Sequence, residues 1–76
     1  MRPSKNESIT MTMVISSDED RRNYTKIETA LKHNVIIKGD IIGVIGKIRI
    51  VGLTYTPYPN FAGMGSTAKI EFVFVD

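Results

Sequence analysis

A chain of 76 residues with a net charge of +2, one histidine and no cysteine has room for a single thin-cored domain. Disulfide frameworks, thiolate metal sites and histidine clusters are excluded, and no run approaches the roughly 18–20 apolar residues that span a bilayer. Ten basic against eight acidic residues is too even a balance for a chain that is basic throughout, although Arg21, Arg22, Lys26, Lys32, Lys38, Lys47 and Arg49 face only Glu28 and Asp40 between positions 21 and 49.

Residues 1–8 are polar and mixed in charge, and read as a flexible leader before a single α+β domain over 9–76. They lack the apolar run of a signal peptide, and the missing cysteines fit a reducing compartment, so a cytoplasmic location is expected. Ile9–Ile15 alternates at period two. Ile9, Met11, Met13 and Ile15 share one face and Thr10, Thr12 and Val14 the other, as in a half-buried strand.

Ser16 and Ser17 then open a helix over about 17–33. Ser16 with Glu19, or Ser17 with Asp20, has capping-box spacing, and Asp18, Glu19 and Asp20 place negative charge in the first turn. Tyr24, Ile27, Ala30 and Leu31 form its apolar stripe, and Asn34 is a sound left-handed terminator.

Val35–Tyr55 is rich in β-branched residues and broken by Gly39, Gly43, Gly46 and Gly52, which argues for strands. Gly39-Asp40 suits a two-residue type II′ turn between Val35–Lys38 and Ile41–Ile45, with Gly46 as a bulge or bend. A single long strand bent by glycine bulges is the alternative. Thr56–Thr67 carries Pro57, Pro59, Asn60, Gly63 and Gly65 and reads as a loop. The last strand, Lys69–Val75, has Ile70, Phe72 and Phe74 on one face and Lys69, Glu71, Val73 and Val75 on the other. That composition suits an interior strand or one covered by a partner. The expected architecture is one helix on a small, strongly bent antiparallel sheet or partly closed barrel.

The chemistry for catalysis is missing. His33 sits at a helix end, no serine lies in a nucleophile elbow, and the acids cluster where helix capping explains them. No metal-ligand spacing occurs, so neither a catalytic centre nor a metal or cofactor is expected. The segment around 55–69 is different. Tyr55, Tyr58 and Phe61 offer flat rings. Gly63, Gly65, Ser66 and Thr67 offer backbone N–H groups and hydroxyls, and Lys69 adds charge. Arg21, Arg22, Lys47 and Arg49 are further candidate anion contacts.

Three readings follow. The first is a binding protein that captures a small phosphate-bearing or nucleotide-like ligand. The second is a protein-interaction or assembly module. The third is a nucleic-acid binder using Arg21, Arg22, Lys38, Lys47 and Arg49. The surplus of apolar strand positions over what one helix covers adds the expectation of a homo-oligomer.

Overall fold

The computed structural model of the chain describes residues 7–57 and 65–75. Its first strand, β1, spans Ile9–Ile15, with the inner side of each Ile/Met position better covered than the alternating threonines. The helix α1, Asp18–His33, starts where local chemistry dictates. Ser17 is the N-cap, its side chain accepting from the Asp20 N–H at 3.0 Å. The Asp20 carboxylate in turn accepts from the backbone N–H groups of Ser16 and Ser17, at 3.1 and 3.2 Å. Of the two capping boxes with suitable spacing, the Ser17–Asp20 pair forms. Asn34 ends the helix at φ 56°, its N–H reaching the carbonyls of Ala30 and Leu31.

These bonds hold the Asp20 carboxyl below its ordinary value of 3.8, the Ser16 N–H contributing most and desolvation opposing. A depressed carboxylate contributes stability that is present above the unfolded value and is lost as pH falls through the folded one. Acid titration of the melting temperature should therefore fall below about pH 4, and Asp20→Asn should flatten that fall. Ser17→Ala should cost about 1 kcal/mol near neutral pH, or roughly 4–8 °C in a domain of this size. Calorimetry across pH 2–7 checks both.

After α1 come β2 (Ile36–Lys38), a 3-10 turn (Gly39–Ile42), β3 (Lys47–Thr56) and β4 (Ser66–Val75). The sheet is wholly antiparallel, in the order β1-β4-β3-β2. It curls strongly into a half-barrel with α1 packed on one face, an α+β arrangement. Ile48, Ile50, Ile70 and Phe72 meet Ile27 and Ala30 of α1 in one core. β4 is interior, as its apolar faces predict, and Arg49 and Lys47 share the face opposite Ile48 and Ile50.

Two expectations are corrected. Ile41–Ile45 is not a strand, and Gly39-Asp40 is not a type II′ turn. Such a turn needs positive φ at its first central residue, and the positive-φ glycines are Gly43, Gly46 and Gly65. Gly39 is buried instead, its N–H bonded to the Gly46 carbonyl at 2.7 Å, and the reversal between Lys38 and Lys47 takes all of 39–46. Ile41, Ile42 and Val44 are thereby turned onto the core.

The loop is also shorter than its composition suggests. β3 runs to Thr56 and β4 begins at Ser66, with Tyr55 paired to Ala68 and Thr56 to Thr67. Tyr55, Ser66, Thr67 and Lys69 therefore obey strand alternation and do not share one surface.

Candidate functional site

Residues at spacings of three and four lie along one flank of a helix, so Arg21, Tyr24, Thr25 and Glu28 form one stripe on α1. The last residues of β3 and the first of β4 face this stripe. On the inner face of the sheet, Tyr55 and Ser66 are neighbours, and the Tyr55 hydroxyl lies 2.7 Å from Ser66 Oγ. The rings of Tyr24 and Tyr55 meet at 5.4 Å, tilted by 43°, a geometry in the favourable range for aromatic pairs. Between these groups lies a cavity of about 300 Å³, lined by Ile15, Arg21, Tyr24, Thr25, Glu28, Tyr55, Gly65 and Ser66.

Gly65 closes this cavity from the hairpin side. Its φ is 94°, and a Cβ there would collide with the carbonyl oxygen of Ile15. Only glycine lets the hairpin descend onto the end of β1 and bring Ser66 beneath Tyr55.

The chemistry of the cavity is mixed. Tyr24 is pushed above the ordinary tyrosine range, chiefly by burial and then by the charge of Glu28 and by Tyr55. Its phenol stays protonated at neutral pH and available as a donor. Arg21 supplies a planar cation, Glu28 an acceptor, Thr25 and Ser66 hydroxyls, and Tyr55 a half-exposed ring. A flat ligand with an anionic end and hydrogen-bonding edges suits this set.

Of the residues singled out from the sequence, Arg21, Tyr55, Gly65 and Ser66 come together here. Arg22 is exposed on α1 and does not line the cavity. Thr67 and Lys69 point to the opposite face of the sheet, in register with Val14 and Thr12 of β1, so they cannot join a cradle with Ser66. Lys47 and Arg49 lie on that opposite face too, at the far end of the sheet. Tyr58, Phe61 and Gly63 fall outside the described residues. Tyr24, Thr25 and Glu28 also line the cavity, and residue type alone does not mark them in the sequence. Their spacing from Arg21 was the available signal, but Tyr24 also satisfied the apolar stripe and was absorbed by it.

A larger groove of about 480 Å³ lies beside α1 at the 3-10 turn, lined by Asn23, Lys26, Ile37, Lys38, Asp40 and Ile41. It has no aromatic ring, and Asp40 offsets its lysines. Among the described residues no group of three His, Cys, Asp or Glu side chains is placed to hold a metal ion, and no helix is long and apolar enough to cross a membrane.

Comparison with protein-family models, curated protein sequences and solved structures returns no match to this chain.

Proposed function

We propose that this protein is a non-enzymatic binder of a small, phosphate-bearing, nucleotide-like ligand, held in the cavity between α1 and the β3–β4 hairpin. The observation that carries this reading is the convergence of Arg21, Tyr24 and Tyr55 with the Tyr55–Ser66 hydroxyl pair on one cavity. A base stacks on the Tyr55 ring, Glu28 accepts from an amino or ribose hydroxyl group, and Arg21 takes a phosphate in the fork geometry that favours guanidinium. A cytoplasmic setting fits the absence of cysteine.

A panel of nucleosides, nucleotides and dinucleotides screened by thermal shift, followed by titration calorimetry, tests this. Arg21→Gln should weaken a bound nucleotide at least roughly 10- to 100-fold, since charge-assisted hydrogen bonds to the phosphate are lost, and leave the corresponding nucleoside unaffected. Tyr55→Phe should weaken both by a few-fold, since it removes the hydroxyl paired to Ser66 and keeps the ring. Equal loss of nucleoside and nucleotide in Arg21→Gln would remove phosphate recognition from the proposal.

A second reading, self-assembly, rests on β1. Its sequence Ile-Thr-Met-Thr-Met-Val-Ile has no charge, proline or glycine, and among the described residues it pairs only with β4. Such an edge lacks the features that block strand addition. The row also reads nearly alike in both directions about Thr12. An antiparallel meeting of two copies sets Met11 against Met13 and Ile9 against Ile15. Sedimentation of a monomer at millimolar concentration would discard this reading and leave the ligand site standing.

A further inference from the structure

The sheet face turned away from α1 holds a separate concentration of charge. Lys38 and Lys47 are direct cross-strand partners, and Arg49 stands two positions along on the same face, opposite Ile36 and Val73. Like charges placed directly opposite one another destabilise a sheet, and a third cation beside them adds to the cost. Asp40 shares a groove with Lys38 and Lys47 and offsets part of that charge, which leaves Arg49 as the one of the three outside that groove. Glu71, on the same face, is engaged by the Ser8 hydroxyl at 2.7 Å. The Arg49 Nε is moreover buried and has no hydrogen-bond partner. A buried donor without a protein acceptor is uncommon, and a water or an anion supplies the missing acceptor.

We infer that this face is a second anion site, in which Arg49, Lys38 and Lys47 bind phosphate oxygens, and that its natural ligand is the phosphodiester backbone of a single-stranded nucleic acid. The extended source is favoured by how the charge continues. Lys69 lies farther along the same face, in one cross-strand row with Thr12 and Thr54. Val75, the partner of Lys47, is six positions along β4 from Lys69, about 20 Å at the rise of a strand. Along that length the Lys38, Lys47 and Arg49 group stands at one end and Lys69 with the Thr12 and Thr54 hydroxyls at the other, with Glu71 and Val73 between them on β4. Two cationic stations that far apart, with no aromatic ring between them, fit separate phosphates of one extended chain and read no base.

The test is fluorescence anisotropy with a labelled 15-nucleotide oligothymidylate, with tripolyphosphate as the small-anion probe. The wild-type chain should bind the oligonucleotide with log K falling against log salt at a slope of about −2 to −3, the value for three or four phosphate contacts to a single strand. Arg49→Gln with Lys47→Gln should weaken it at least tenfold and flatten the slope, with the melting temperature held or raised. Arg49→Lys alone provides the check should the double variant melt early, and should weaken binding less. Lys32→Gln, which removes one positive charge at the end of α1 away from this face, should shift affinity less than twofold. Binding of tripolyphosphate alone, dependent on Arg49, would keep the anion site and replace the nucleic acid with a small polyphosphate. Failure of both probes to bind would overturn the proposal. So would binding that survives the double variant, or binding lost in Arg21→Gln, which would assign the probe to the cavity on the other face.

Discussion

Phe72→Ala is expected to leave the chain without a cooperative unfolding transition at 37 °C, or with one shifted far toward low denaturant. Phe72 is 1% exposed and sits on the interior strand β4, in register with Ile9 of β1 and Ile50 of β3. Its ring meets Phe74 edge-on at 5.6 Å, and it belongs to the cluster that receives Ile27 and Ala30 of α1. One side chain therefore ties three strands and the helix. Truncating a buried phenylalanine costs about 3–5 kcal/mol, while a folded chain of this length has roughly 4–11 kcal/mol in all. Phe72→Leu keeps most of the volume and should cost about 1–1.5 kcal/mol. Urea denaturation followed by circular dichroism distinguishes these cases. A Phe72→Ala chain with a near-native midpoint would mean that the core lies elsewhere.

Gly65→Ala is the second large effect, and its cause is different. No cavity forms. Alanine is instead forced into φ 94° with its methyl group against the Ile15 carbonyl, between two backbones that have no flexible end to give way. Strain at such a position costs of order 1–3 kcal/mol before the collision is counted, so a loss above about 2 kcal/mol and a melting temperature lower by roughly 10 °C or more are expected. The informative control is Gly43→Ala. Gly43 also has positive φ, 83°, but nothing lies within 4 Å of its added Cβ, so it should lose only the conformational part. Equal losses at the two positions would show that the close approach of the hairpin to β1 is not a constraint. Gly65→Ala should also weaken any ligand of the cavity, because Ser66 is carried by the same backbone.

These two residues differ in how readily the sequence reveals them. Phe72 is legible because strand alternation places it with Ile70 and Phe74 on one face. The helix is legible for a related reason, since Ser17, Asp20 and Asn34 act within a few residues of themselves and need no tertiary partner. The segment from Gly39 to Gly46 is not. Gly39-Asp40 is compatible with a tight turn, and what decides against it is burial of Ile41, Ile42 and Val44 against strands distant in sequence.

The site was half legible. Tyr55, Ser66, Gly65 and Arg21 were marked by residue type. A loop, however, imposes no parity on its side chains, so reading 55–69 as one loop merged Ser66 with Thr67 and Lys69. Once pairing runs through Thr56 and Thr67, alternate residues go to opposite faces, and the single candidate surface divides into the cavity beside α1 and the cationic face behind it. Thr25 and Glu28 enter the cavity through a flank of α1 that hydrophobic periodicity does not mark, and Tyr24 reads in the sequence as one more member of the apolar stripe.

The claim that the cavity between α1 and the β3–β4 hairpin is a ligand site is tested most directly by native mass spectrometry of the protein purified from the cells that produce it, beside the Arg21→Gln and Tyr55→Phe variants. The predicted result is an additional mass of a few hundred daltons per chain, retained by the wild type, lost from Arg21→Gln and diminished in Tyr55→Phe. A bare wild-type chain, or an adduct that all three proteins retain equally, would contradict it.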